Sequence, residues 1–310
     1  MKRLLAIACL GVMLTGLAFI QTAAAESPLH AVADIAPLAS LARLVGGERV
    51  RVAQLVPEGR DPHTFEPTPR QMASLASARL FLNLGLPFVE RLLPKIKSAN
   101  PGLAVVDVAA GIKRLPAPEH AVEEAGHDHA GHSHAGEGHG HRHEGDVDPH
   151  IWLDPRRAAK MADNLAKAFI QADPVGQQVY EANLKRLELR LLALDAKLRQ
   201  ILEPYRGREF LVFHPALGYL AQAYGLEQLA VQEGGREPGA KRLAWLIKRA
   251  KAKGIRIIFV EPQFPQGTAK TLAQAIGGSL VVLDPLSADY PDNLEDMAKN
   301  LAKALAGEKP

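Results

Sequence analysis

The sequence predicts an α/β protein of two lobes, each with a mostly parallel sheet flanked by helices, the two joined by one long rigid helix. Three observations carry that expectation. Short apolar runs alternate with helical periodicity both before and after the middle of the chain, the pattern of parallel sheets with crossover helices. A stretch at residues 116–147, rich in His, Gly, Ala and Glu, has almost no large apolar residue and cannot bury enough surface to fold, so a disordered loop is expected there. Beyond it, leucines recur at alternating steps of three and four residues over about four heptads, the mark of one long helix with a single apolar stripe.

The elements follow in order. Residues 30–34 read as a strand and 35–45 as a helix. Residues 50–56 form a second strand, 68–78 a helix, 80–84 a strand, 88–97 a helix and 103–108 a strand. The rhythm resumes with strands at 210–213, 227–231, 256–260 and 280–283. Helices at 217–224, 239–253, 268–276 and 293–305 lie between and after them. The long helix is expected over 173–204. Asp173 is a good N-cap, Pro174 suits the first helical position, and Pro204 ends it. Leu184, Leu187, Leu191, Leu194, Leu198 and Ile201 mark its stripe, and a rod of about 30 residues spans about 45 Å. Such a stripe serves either a strut packed along both lobes or a coiled-coil dimer; the strut is the preferred reading. The expected domains are therefore an N-terminal lobe over 26–172, the helix over 173–204 and a C-terminal lobe over 205–310.

At the N-terminus, Lys2 and Arg3 precede an almost wholly apolar run from Leu4 to Ile20, and Ala23, Ala24 and Ala25 offer a small-residue cleavage site. This predicts a secretory signal peptide over residues 1–25, the rival reading being a membrane anchor. The one cysteine, Cys9, lies in the apolar run. The mature chain therefore has no disulfide, and its fold must stand on its core. The formal charge of +3 falls close to neutral once Lys2 and Arg3 are removed. That balance gives no basic excess for nucleic acid. The chain also lacks the G-x-x-x-x-G-K-[ST] phosphate loop, so any transport motor belongs to other chains.

Twelve histidines carry the chemistry. Eight fall between His120 and His143. Three short clusters stand out among them: His127 with His129, His132 with His134, and His139 with His141 and His143. These seven are candidate auxiliary metal ligands. Flexible clusters give up ordering entropy on binding, so a weaker site is expected there. The competing reading is a solvated linker. His63 and His150 each end an Asp-Pro-His tripeptide, with Asp61 and Asp148 as turn residues. His214 directly follows a strand and precedes Pro215, and Asp284 follows another and precedes Pro285. In open α/β sheets ligands bind beyond the carboxyl ends of strands, and proline stiffens a loop that has just left one. His63, His150, His214 and Asp284 thus form a candidate Zn²⁺ site in the cleft, the first two from one lobe and the last two from the other. The bland alternative is that each histidine is a hydrogen-bonded structural residue and Asp284 a turn cap. Glu66 and Glu261 are candidates to orient a ligand histidine, or ordinary ion-pair partners. Ligand histidines bind metal only when neutral, so affinity is expected to fall as pH drops through about 6.5.

Five segments sharpen this reading: Asp61-Pro62-His63-Thr64-Phe65-Glu66-Pro67-Thr68-Pro69, Asp148-Pro149-His150-Ile151-Trp152-Leu153-Asp154-Pro155, Phe213-His214-Pro215-Ala216-Leu217-Gly218-Tyr219, Val260-Glu261-Pro262-Gln263-Phe264 and Leu283-Asp284-Pro285-Leu286. In content and order they resemble the cluster A-I (cluster 9) metal-binding proteins of ABC transporters, most of all the periplasmic zinc-binding members, and the similarity spans essentially the whole mature chain. The resemblance implies two α/β lobes with the metal between them, His63, His150 and His214 as ligands and Asp284 as the fourth. It implies zinc rather than manganese, since manganese members typically carry glutamate where this chain has His214. It implies no enzymatic activity, a membrane permease of a zinc ABC importer as partner, periplasmic zinc chaperones as further partners, a monomeric state and a periplasmic location. One departure is the missing C-terminal disulfide that many zinc members carry. A manganese-binding protein of the same class, a zinc-dependent periplasmic hydrolase and a surface adhesin are the alternatives. The hydrolase lacks an H-E-x-x-H motif, and would need Glu66 or Glu261 as its base.

Overall fold

The computed structural model describes residues 27–117, 147–233 and 235–308. The expected signal peptide over residues 1–25 lies outside the described residues. So do all seven candidate auxiliary ligands, His127, His129, His132, His134, His139, His141 and His143. Among the described residues no helix is long and apolar enough to cross a membrane.

Two four-stranded sheets form the frame, and every pairing is parallel. The first contains β1 (Leu29–Ala33), β2 (Val50–Gln54), β3 (Leu80–Asn83) and β4 (Ala104–Asp107) in the order β2-β1-β3-β4. The second contains β5 (Glu209–Val212), β6 (Glu227–Ala230), β7 (Ile257–Val260) and β8 (Ser279–Val282) in the order β6-β5-β7-β8. The two orders are the same winding used twice. Each reverses direction between its first and third strands, and the crevice beyond that point is where such sheets bind ligands.

Helices α1 (Ala36–Gly46), α2 (Pro69–Ser77) and α3 (Pro87–Ala99) belong to the first sheet. Helices α6 (Gly218–Tyr224), α7 (Ala240–Lys253), α8 (Gly267–Ile276) and α9 (Asp292–Ala306) belong to the second. The period of two along each strand is visible in the second sheet. Phe210, Val212, Ile257 and Phe259 enter the main core, while Leu211, Phe213, Ile258 and Val260 enter a separate cluster under α7 and α8. The central strands β5 and β7 are therefore buried on both faces, which is why they read as apolar runs, while the edge strands β6 and β8 are only partly covered.

Between the sheets lie α4 (Pro155–Ala172) and α5 (Gln177–Leu202). α4 is absent from the elements expected above. At its start Asp154 accepts from the Arg156 N–H, and Pro155 opens the helix. The buried face, Ala158, Met161, Ala162, Leu165, Ala166 and Phe169, has helical spacing but is half alanine, so its apolar signal is weak. The long helix is shorter at its start than expected. Asp173 caps a 3₁₀ turn at Pro174–Gly176 rather than α5 itself, and 26 residues remain, about 39 Å of rod. Of the expected stripe, Leu187, Leu191, Leu194 and Leu198 are buried inside this chain while Leu184 and Ile201 are half-buried, and the helix packs on α4, on α1 of the first sheet and on α9 of the second. Arg190–Asp292 and Lys197–Glu295 pairs add surface ties to α9.

The lobes are also fastened near the cleft. Tyr290 donates to the Trp152 carbonyl at 2.6 Å, and the Trp152 indole N–H donates to the Pro285 carbonyl at 2.8 Å. Tyr219, in α6, donates to the Asp148 carbonyl at 2.7 Å and accepts from the Leu115 N–H at 2.9 Å.

Candidate metal centre

His214 follows its strand closely, His63 stands further along the loop that leaves β2, and all three histidines sit on short, braced turns. β2 leads into the loop that carries His63. There Asp61 turns the chain: its Oδ1 accepts from the His63 N–H at 2.9 Å and its Oδ2 from the Thr64 hydroxyl at 2.9 Å. Phe65 anchors the loop by an edge-on contact with Phe88, ring centroids 5.5 Å apart. Beyond it Thr68 and Gln71 form a capping box on α2, and Gln71 reaches back to the Leu55 carbonyl at 2.7 Å. Asp148 makes the same turn for His150, accepting its N–H at 2.9 Å, but the same Oδ1 also lies 2.7 Å from the ring Nδ1. His214 follows β5 through Phe213, whose N–H extends the sheet by donating to the Phe259 carbonyl. Gln232, just past β6, places its Oε1 3.2 Å from His214 Nδ1.

These placements bring the three rings together. Centroids are 5.8 Å apart for His63–His150, 4.9 Å for His63–His214 and 5.3 Å for His150–His214. One ligand nitrogen from each lies within 4.8 Å of the others. Tetrahedral zinc, with bonds near 2.0–2.1 Å, needs nitrogens about 3.4 Å apart, so an inward movement of about 1 Å closes the set. The carboxylate of Asp148 and the amide oxygen of Gln232 accept hydrogen bonds, so they hold the proton on Nδ1 and leave Nε2 for a metal. His214 Nε2 is buried with no hydrogen-bond partner, an arrangement that calls for a ligand.

Electrostatics favour the neutral rings that metal binding needs. Burial, then the charge of His150, pushes His63 down to about 4, against the opposing pull of Asp61 and Asp148. Burial, then His150 and His63, holds His214 well below the ordinary histidine value. The rings line a cavity of about 280 Å³ with Asp148, Gln232 and Phe264, and its rim includes Ala117 and Val147, which flank the histidine-rich stretch. A larger groove of about 560 Å³ lies between β4 and α4, but the histidine cluster is not there.

Asp284 is not in the convergent group. The reason is its place in the tripeptide. In Asp284-Pro285-Leu286 the aspartate Oδ1 accepts from the Leu286 N–H at 3.0 Å, so Asp284 is the counterpart of Asp61 and Asp148, and Leu286 holds the ligand position. Glu66 is exposed on the loop before α2. Glu261 is buried with its Oε2 unpartnered, and burial, then Asp284 and Asp61, push its carboxyl well above the usual range. The hydrogen bonds to ligand rings come instead from Asp148 and Gln232. The sequence marks Asp148 only as a turn residue and does not single out Gln232.

Residues 31–304 match the model of the family described as "ZnuA: Zinc-uptake complex component A periplasmic". The chain belongs to the ZnuA family. It is 34% identical over 262 residues to the high-affinity zinc uptake system protein ZnuA of Bacillus subtilis (strain 168), covering 83% of this chain and 78% of that protein. A crystal structure of ZnuA superposes with a TM-score of 0.79 at 34% identity, covering 90% of this chain and 99% of the other. A ZnuA deletion mutant with zinc bound superposes with a TM-score of 0.78 at 35% identity, covering 89% of this chain and 98% of that one. The twin parallel sheets and the long helix are thus the ZnuA fold.

Proposed function

We propose that this chain is the solute-binding component of a zinc importer: it captures Zn²⁺ as cargo in the cleft and delivers it to the permease of an ABC-type transporter. The observation that carries the reading is the convergence of His63, His150 and His214, their ligand atoms within 4.8 Å of one another. Imidazole suits zinc better than manganese, which prefers oxygen donors. Membership of the ZnuA family, and the zinc in the name of the Bacillus subtilis relative, support the same cargo. The protein acts in the periplasm as a monomer after removal of residues 1–25. The permease, and zinc chaperones that load the cleft, are its partners. The histidine-rich stretch, attached at the cavity rim, gathers zinc for the cleft through His127, His129, His132, His134, His139, His141 and His143.

Three imidazoles with an open fourth position also describe a hydrolytic zinc. Transport is the better reading, since the family is one of uptake components and Glu66, one of the two acids considered as a base, is exposed on the loop before α2. The test is a competition titration of the mature protein with Zn²⁺ and Mn²⁺, on wild type, on a form lacking residues 116–147 and on His214→Ala. One tight zinc site that survives loop deletion and is lost in His214→Ala is expected. Tight binding that disappears with the loop and ignores His214 would overturn the cleft reading.

A further inference from the structure

The hydroxyl of Tyr219 closes a ring of three hydrogen bonds among three separate segments. Leu115 N–H donates to it at 2.9 Å, it donates to the Asp148 carbonyl at 2.7 Å, and the Asp148 N–H donates to the Leu115 carbonyl at 2.9 Å. Tyr219 is fully buried, so each of these groups depends on the others for its partner. The ring joins the two chemistries of the cleft. Asp148 is the residue whose carboxylate meets the His150 ring at 2.7 Å. Tyr219 lies in α6, which begins four residues after His214. The neighbouring Gly218 packs so tightly that a Cβ there would stand 2.7 Å from Asp148 Oδ2. On its other face the Tyr219 ring carries the Arg157 guanidinium at 4.6 Å, and Arg157 also pairs with Asp154, at the end of the His150 segment.

We infer that Tyr219 is a positioning residue for metal capture: through the Asp148 main chain it fixes His150 of one segment against His214 of the next, so these two ligands are placed relative to one another before the ion arrives. The inference rests on the zinc-binding reading above. Its logic is geometric. The Asp148 side chain can aim His150 only if its own backbone is held, and the hydroxyl of Tyr219 is what holds the carbonyl end. Prepositioning of this kind spares the ion the cost of ordering its ligands.

The test compares three full-length mature variants by Zn²⁺ competition titration, by the ligand-field spectrum of bound Co²⁺ and by the thermal midpoint of the metal-free protein. Tyr219→Phe is expected to weaken zinc binding about tenfold or more, the size of effect typical for an outer-shell partner, and to change the Co²⁺ spectrum. Tyr224→Phe is the control. Its hydroxyl is also buried on α6 and bonded, to Asp195 at 3.0 Å, but it touches no part of the site, so affinity and spectrum are expected to stay as in wild type. Gly218→Ala supplies an opposite sign. It adds a better helix former at the start of α6 while forcing the Asp148 carboxylate to move, so zinc binding should weaken without loss of thermal midpoint. Zinc affinity within about threefold of wild type and an unchanged Co²⁺ spectrum in Tyr219→Phe would overturn the inference, as would an equal loss in Tyr224→Phe. If Tyr219→Phe does not fold, wild-type affinity in Gly218→Ala overturns it. A wild-type protein that holds no zinc, or a His214→Ala variant that still does, instead defeats the reading of the site itself.

Discussion

The carboxylate of Asp148 serves His150 twice with one oxygen, accepting the backbone N–H at 2.9 Å and meeting the ring Nδ1 at 2.7 Å. Asp61, in the same Asp-Pro-His setting, spends its second interaction on Thr64 and leaves the His63 ring unheld. Two identical tripeptides thus deliver one ligand whose ring is hydrogen-bonded by its own aspartate and one whose aspartate braces only the turn.

Asp148→Asn keeps an acceptor for the turn and removes the charge behind the ring. Zinc affinity is expected to fall about 10–100-fold. Asp61→Asn should leave it within about threefold, since Asp61 holds only the turn. Competition titration on both variants checks the contrast, and equal losses would contradict it.

The Asp284 side chain holds a turn, and its carboxylate stands outside the convergent group. Asp284→Ala should therefore cost about 1 kcal/mol of stability, the worth of a lost hydrogen bond, and change zinc affinity by less than about tenfold. Each of His63→Ala, His150→Ala and His214→Ala should lose about 100-fold or more, since a ligand leaves the metal outright. A loss in Asp284→Ala that matches the histidine variants would make it the fourth ligand.

Burial moves the pH dependence away from the value expected for free histidine. In the metal-free protein His63 is expected to titrate at about 4 and His214 well below its ordinary value, read from side-chain nitrogen shifts in an NMR titration. Protons then compete with metal at His63 near pH 4 rather than 6.5, and at His214 well below the ordinary histidine value. The sign for stability follows. An unfolded chain protonates His63 near 6.5 and the folded one near 4, so its contribution is present above 6.5 and lost as pH falls toward 4. Acidification over that range should destabilise wild type more than His63→Ala; equal slopes in denaturant titrations would refute the shift.

Leu198 on α5 is fully buried, while Leu192 on the same helix is 66% exposed. Leu198→Ala should destabilise the protein by about 2–5 kcal/mol, and Leu192→Ala by less than about 0.5 kcal/mol. Urea unfolding measures both. Comparable effects would mean that Leu192 is covered in solution by a surface outside this chain.

Much of this is legible in the sequence because the signals are local. All eight strands appear as apolar runs, within one or two residues at each end. The three histidines announce themselves by standing beside prolines, and His214 also by standing just past a strand. What is not legible depends on register and on distance. Gln232 reaches His214 only because β5 and β6 run parallel, with Val212 opposite Ala230, which brings the two strand exits side by side. Asp148 is visible as a turn residue, but its reach to the ring is a side-chain rotamer that no spacing encodes. Tyr219 and Tyr290 join segments far apart in the chain, and a buried tyrosine looks the same whichever carbonyl it finds. α4 is hidden by its alanines: small residues let it pack closely against α5, and for the same reason they carry little apolar contrast.

The main core runs without a break from Leu38 and Phe81 of the first sheet, through Leu187 and Leu198 of α5, to Phe210 and Leu294 of the second. The molecule therefore has two sheets but one unit of folding. A fragment cut at the lobe boundary would carry the bare leucine face of α5 or the empty groove that received it, and neither half would be expected to fold alone. Anyone wishing to graft this cleft onto another scaffold, or to swap one lobe for a relative's, would have to move α4 and α5 with it.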